Sequence, residues 1–236
     1  MCEFCSGHRF VKMDVPPSDP RWGKAQPCPV CEVPRQRRQR AERLRELAGV
    51  PEDLSAYTFA RYRPEQAAAK GSRETLQRAL EAAREYAEKP DGWLVLYGPP
   101  GIGKTHLAYG IVGRCLARGQ AVYYGSWPAM LDTLRDGYQD NARIGYDVRM
   151  RTLCDVELLV VDDVGAESVT AWSNEKLFEI VNHRYTRRLP LVVTTNLRVA
   201  DGNCGMEARI RSRLVDTRLS RVLVMAGADY RERRTG

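Results

Sequence analysis

A chain of 236 residues with a hydrophobic share of 43% can bury one α/β domain and carry a small appendage beside it. No apolar run approaches the roughly 20 residues of a membrane span, and the first residues lack the apolar segment of a secretory signal. A cytoplasmic protein with no membrane partner is therefore expected. The net charge of +7 sits at the two ends: residues 1–50 hold ten Arg or Lys against six acids, and residues 198–236 nine against five. Basic ends around a near-neutral middle suit a nucleic acid or an acidic partner, and equally an arginine-rich solvated surface.

Seven cysteines without a secretory signal belong in a reducing compartment, where they bind metal or sit inert. Four of them form Cys2-x-x-Cys5 and Cys28-x-x-Cys31, with 22 residues between the pairs. Each pair can place two thiolates on one ion, and the spacing is close to that of tetrahedral zinc sites. His8 is an alternative fourth ligand, since Cys2 lies near an end prone to fray. A redox role for either C-x-x-C would need a βαβ context that is missing here. With Pro16, Pro17, Pro20, Pro27 and Pro29, residues 1–34 cannot bury much core, so zinc would hold this domain folded. Cys115, Cys154 and Cys204 stand alone and read as buried or incidental.

Residues 35–50 form a basic linker in which Arg35 to Ala48 is spaced as a helix, closed by Gly49. Its clustered Arg35, Arg37, Arg38 and Arg40 suit phosphate contacts or plain solvation. The main domain is expected over 51–236. An amphipathic helix runs from Ser72, a fitting N-cap, through Leu76, Leu80, Ala83 and Tyr86 to a break at Pro90-Asp91-Gly92.

The apolar run Trp93–Tyr97 then reads as a buried strand. It leads into Gly98-Pro99-Pro100-Gly101-Ile102-Gly103-Lys104-Thr105, a full match to G-x-x-x-x-G-K-[ST]. Leu107, Ala108, Ile111, Val112 and Cys115 recur after it at helical spacing, and Gly119 follows as a stop. A strand, a glycine loop and a helix make a phosphate cradle, because backbone N–H groups and the positive end of the helix face one spot. Lys104 would reach the β- and γ-phosphates, and the Thr105 hydroxyl would ligate Mg²⁺.

Further on, Ala121–Gly125 reads as a strand and Pro128–Tyr138 as a helix, while residues 139–150 are polar and ambiguous. Leu158-Leu159-Val160-Val161-Asp162-Asp163 is a buried parallel strand closed by two acids, at the edge where α/β sheets bind ligands. Asp162 would hold the magnesium and Asp163 would orient the attacking water. Helix Ser173–Arg188 and strand Leu191–Thr195 follow. Asn196 then stands where it can bond the water or γ-phosphate, or simply cap a loop. Arg209 and Arg213 share a helical face at i,i+4, suited to a neighbouring subunit's γ-phosphate or to a basic surface. Strand Val222–Met225 and a basic tail end the pattern.

In this order, Gly98–Thr105, Leu158–Gly165, Thr194–Asn196 and Arg209–Leu214 resemble the AAA+ ATPases, specifically the DnaC/DnaI-type helicase loaders and their IstB-type relatives. Ala48-Gly49-Val50-Pro51, Tyr57-Thr58-Phe59, the run Gly103-Lys104-Thr105-His106-Leu107-Ala108, Asp162-Asp163-Val164-Gly165-Ala166-Glu167 and Thr194-Thr195-Asn196-Leu197 sharpen the likeness. It covers about residues 45–230. The resemblance implies an α/β core with a five-stranded parallel sheet of order 5-1-4-3-2 and helices on both faces. It implies ATP and Mg²⁺ as ligands of residues Gly98 to His106, Asn196 as the first sensor, and Arg209 as a finger acting in trans with Arg213 as a second contact.

It further implies a weak ATPase that self-associates with ATP, binds single-stranded DNA through an inserted helix within 128–154, and loads a hexameric replicative DNA helicase gripped by the zinc domain. The alternatives are an IstB-type helper of DNA transposition and a nucleotide-gated adaptor with little hydrolysis. Two departures stand out. Asp163 occupies a position where many AAA+ proteins carry Glu, and only 40 residues follow Asn196, too few for a helical lid.

Overall fold

The computed structural model describes residues 1–36, 50, 53–67, 69–139, 141–165, 170–202 and 204–230. The linker helix expected over Arg35–Ala48 lies for most of its length outside these. Near the start of the chain, β1 (Phe10–Lys12) and β2 (Ala25–Pro27) pair antiparallel, with Val11 opposite Gln26. Little apolar surface is buried here: Phe4, Phe10, Met13, Trp22 and Val30 are all exposed.

Three short 3₁₀ turns, Ser55–Tyr57, Phe59–Arg61 and Pro64–Gln66, lead into α1 (Lys70–Glu88). Then come β3 (Trp93–Tyr97), α2 (Lys104–Ala117), β4 (Val122–Ser126), α3 (Trp127–Asp136), α4 (Tyr146–Asp155) and β5 (Leu158–Val164). The chain continues through α5 (Ala171–Arg187), β6 (Leu191–Thr195), α6 (Ala208–Leu214) and β7 (Ser220–Val224).

Strands β3 to β7 form one parallel sheet in the order β4-β5-β6-β3-β7. Numbered within the domain and read from the other edge, this is 5-1-4-3-2. The strands are apolar at nearly every position because both sheet faces are covered. Trp93, Val95 and Tyr97 pack with Leu159, Val161, Leu191 and Val193 under α3, α4, α5 and α6. Leu94 and Leu96 face the other way, with Val122, Leu158, Val160 and Val192, against α1 and α2. Alternation within each strand therefore divides one continuous apolar run between two cores. No helix among the described residues is long and apolar enough to cross a membrane.

Most element ends shift by one or two residues from the expectation, and the last strand runs over Ser220–Val224 rather than Val222–Met225. Ser72 is not the N-cap of α1, which begins at Lys70 after an extended Ala69 that makes no side-chain cap bond. Arg73 explains the earlier start: its N–H donates to Ala69 O at 3.1 Å and its Nε to Ala67 O at 2.6 Å, winding the turn two residues upstream. The ambiguous stretch 139–150 enters α4 at Tyr146. There Tyr146 stacks on Tyr138, with ring centroids 4.4 Å apart.

Candidate functional site

The loop between β3 and α2 sits at the carboxyl edge of the sheet, beside the tips of β5 and β6. Gly98 has no room for a side chain, since a Cβ there would lie 2.1 Å from Met225 O. Met225 is held in turn by its N–H to Tyr97 O at 2.8 Å. Gly103 takes φ +96°, and a Cβ on it would meet the Tyr62 ring at 2.6 Å, so close packing as well as conformation requires glycine. Lys104 is buried at the first turn of α2, and its Nζ donates to Gly98 O and Pro99 O, each at 2.8 Å, and to Asn196 Oδ1 at 2.7 Å.

The two acids meet the loop through an irregularity in β5. Val161 pairs with Val193 and Val164 with Thr195, so Asp162 and Asp163 together oppose Thr194. This extra residue is a bulge. Asp163 has φ +57°, in the left-handed region that Asp enters more readily than most residues. Its N–H donates to Thr194 Oγ1 at 2.9 Å. Successive strand residues ordinarily point to opposite faces, yet here both carboxylates border one cleft.

Asp162 is buried and accepts three hydroxyl donors. Thr105 Oγ1 lies 3.0 Å from Oδ2, Tyr124 OH donates to Oδ2 at 2.8 Å, and Thr194 Oγ1 donates to Oδ1. Asn196 Nδ2 donates to Asp163 Oδ1 at 3.2 Å, so the amide bridges Asp163 to Lys104. Thr194 Oγ1, which accepts from Asp163 N–H and donates to Asp162, joins Lys104, Asn196 and Asp163 to Thr105 and Asp162 in one hydrogen-bond network.

The cleft over this network has a volume of about 980 Å³, roomy for a mononucleotide. Tyr57, Tyr62 and His106 are among its lining residues, and His106 Nε2 lies 3.0 Å from Thr58 O. Tyr62 donates to Ile102 O at 3.2 Å, and burial raises its phenol pKa. After β7 the chain crosses back over the loop, with Tyr230 N–H donating to Gly101 O at 3.0 Å. A smaller cavity of about 350 Å³ at the opposite edge of the sheet, beside Tyr86 and Arg218, contains none of the expected site residues.

Arg209 and Arg213 do not line the cleft. They lie on α6 against α5, their guanidinium groups 4.2 and 4.9 Å from the Phe178 ring centroid. Arg209 is exposed and pairs with Glu207, while Arg213 donates to Asn182 Oδ1 at 2.8 Å. Both are held in place on an outer surface, away from the chain's own phosphate loop.

Cys2, Cys5, Cys28 and Cys31 converge, with all four sulfurs within 4.8 Å of one another. Cys2 and Cys28 Sγ are 3.9 Å apart and Cys5 and Cys31 Sγ 3.5 Å apart. Sulfurs bound tetrahedrally at about 2.3 Å from zinc stand roughly 3.8 Å apart, so the set fits that ion. Arg9 N–H donates to Cys5 Sγ at 3.3 Å, a typical bond to a ligand sulfur. His8 is exposed and outside the cluster, and Cys2 rather than His8 completes the group of four. Of the other cysteines, Cys115 and Cys154 are buried and Cys204 is half-buried.

Three residues important to this arrangement had no role assigned from the sequence, although Thr194 stands in the Thr194–Asn196 motif. Tyr124 and Thr194 are ordinary β-formers whose contacts with Asp162 arise only across the strand register. Arg184 resembles a basic surface residue, yet it is fully buried and donates to the carbonyls of Leu153, Cys154, Val156 and Pro190. Burial lowers its pKa to about 10. It closes the end of α4 and ties it to the start of β6.

The profile of the IstB-like ATP binding proteins matches residues 33–235, leaving the four cysteines outside. The replicative helicase loader DnaC of Escherichia coli (strain K12) is 28% identical over 163 residues, 67% of this chain and 65% of that protein. The chain thus spans slightly less than two thirds of that relative. An ATP-binding protein in an insertion sequence of Mycobacterium tuberculosis (strain H37Rv) is 29% identical over 147 residues, covering 60% of this chain and 56% of its own length. The crystal structure of the DnaC helicase loader superposes with a TM-score of 0.59 at 21% identity, covering 75% of this chain and 100% of that one. At that identity the likeness is one of fold.

Proposed function

Because the chain belongs to the family of IstB-like ATP-binding proteins, we propose that it is an ATP-dependent loader that delivers a hexameric replicative DNA helicase to single-stranded DNA. Lys104 would release the carbonyls of Gly98 and Pro99 to take β- and γ-phosphate oxygens, since one ammonium cannot serve both sets. Thr105 Oγ1 and Asp162 would hold magnesium, whose charge offsets that of the phosphates. Asp163, tied to Asn196, would orient the attacking water. Arg209, with Arg213 beside it, would reach the nucleotide of a neighbouring subunit, so turnover would require ATP-driven self-association. A finger of this kind contributes roughly 10³–10⁵ in rate, which leaves a lone subunit a weak ATPase. Single-stranded DNA held along such an assembly would bind with strong salt dependence.

The choice of a helicase as partner rests on the cysteine segment. It lies outside residues 33–235, gathers its thiols around one point suited to zinc, and exposes Phe4, Phe10 and Trp22. Such an appendage gives the ATPase a separate surface for gripping a partner. The insertion-sequence relative favours a second reading, a helper of DNA transposition that prefers duplex DNA and a transposase. The short Asp163 side chain favours a third, an adaptor that binds ATP with little hydrolysis.

Size-exclusion chromatography with light scattering separates the readings. Zinc-loaded protein, ATP, Mg²⁺ and the cognate helicase should elute as one complex that a Cys5→Ser/Cys31→Ser variant fails to form. Absence of a complex together with ATP-dependent binding of duplex DNA would replace the loader reading with transposition. Turnover that stays negligible with both DNA and partner would favour the adaptor.

A further inference from the structure

Tyr124 lies on β4 opposite Val160, so its side chain rises from the strand neighbouring the acids rather than from the phosphate loop. It is buried, its ring packs on Tyr109 of α2 at a centroid distance of 4.5 Å, and its hydroxyl donates to Asp162 Oδ2 at 2.8 Å. Thr194 donates to the other oxygen, Oδ1, from β6 on the opposite side. Thr105 Oγ1 lies between the two, 3.0 Å from Oδ2 and 3.3 Å from Oδ1. One donor on each flank fixes the carboxylate plane. With about four lone-pair sites on an ionised carboxylate, the positions left after Tyr124 and Thr194 are served face the Thr105 hydroxyl.

We propose that Tyr124 is a positioning residue for the nucleotide's divalent cation: it fixes Asp162 so that the lone pairs now engaged by the Thr105 hydroxyl face the place where the cation would sit. This rests on the reading that Asp162 serves magnesium. Partners one step removed from a metal typically change its affinity by 10–100-fold when lost. A tyrosine that merely filled core would act differently, since phenylalanine would occupy the same space against Tyr109.

The test uses the full chain carrying Tyr124→Phe and a fluorescent ATP analogue titrated with Mg²⁺. The half-saturating Mg²⁺ concentration should rise about 10-fold, while analogue affinity in EDTA stays close to wild type. An unchanged Mg²⁺ requirement overturns the positioning role, and so does an equal loss of affinity in EDTA, which would mark a general packing defect. Asp162→Asn separates this inference from the reading beneath it. If that variant also leaves the Mg²⁺ requirement unchanged, the magnesium reading of Asp162 fails. If it raises the requirement while Tyr124→Phe does not, the role of Tyr124 alone fails.

Discussion

The cysteine segment and the parallel sheet differ in how much apolar surface each buries. In the sheet domain, strands buried on both faces place side chains such as Leu94, Leu96, Ile111, Leu159 and Ile180 out of water, and no ligand is needed to hold them. In the first 34 residues the buried apolar side chains are Cys5 and Cys28, while Phe4, Phe10, Trp22 and Val30 face solvent. A two-stranded ribbon of three residues per strand is unstable alone. The four converging sulfurs offer the bond set that would order it once zinc is bound. Burial stabilises one region, and coordination at the four sulfurs is the proposed source of order in the other, which would leave that segment free to expose apolar surface.

Removing zinc tests that contrast most severely. Structural zinc contributes roughly 10–16 kcal/mol in small finger peptides, so a strong chelator should abolish amide protection across residues 2–33 and leave β3 to β7 protected. Hydrogen exchange followed by mass spectrometry reads both regions at once, and a uniform loosening of the chain would break the comparison.

The next effect asks whether the sheet domain is chemically self-sufficient. Arg209→Ala should lower ATP turnover about 10³-fold or more with little change in ATP affinity. Mixing it with Lys104→Ala subunits should restore part of the rate, because each would supply what the other lacks. Unaltered turnover in Arg209→Ala would place the whole site within one subunit.

A smaller change sharpens the energetic side. Ile111→Ala empties a fully buried position between α2 and the sheet and should cost about 2–5 kcal/mol in denaturant unfolding. Zinc content measured on the same variant should stay at one ion per chain; release of metal would tie the two regions together. The smallest effect concerns a single cap. Thr170 and Ser173 form a reciprocal capping box at the start of α5, so Thr170→Ala should lower stability by about 1 kcal/mol, with nucleotide affinity unmoved.

What could be read from the sequence depended on how local each requirement was. Gly98 to Thr105 were legible because a phosphate cradle needs fixed residue types at adjacent positions. The four cysteines were legible for the same reason, although spacing alone left Cys2 and His8 open. The order of the sheet came with the family resemblance, since identical apolar runs carry no information about which strand lies beside which. The bulge at Asp162 and Asp163 was hidden for a related reason: an all-apolar strand shows no alternation whose break would reveal an extra residue. Tyr124, Thr194 and Arg184 were missed because their roles lie in contacts made across 38, 32 and 28–31 residues of chain.

The contact between Gly98 and Met225 O also has a kinetic consequence. The phosphate loop is encoded in the middle of the chain, but the floor against which it rests arrives only with β7. Parallel pairing of β3 with β7 must close a long loop before that contact forms, and such distant closures slow folding. During synthesis a nascent chain that has emitted α2 would carry the nucleotide motif without a loop able to hold its shape. Competence to bind ATP would therefore come late, after the sheet has acquired its final edge strand. A partly made subunit would then be silent toward nucleotide, and so unable to join or obstruct an assembly of finished ones.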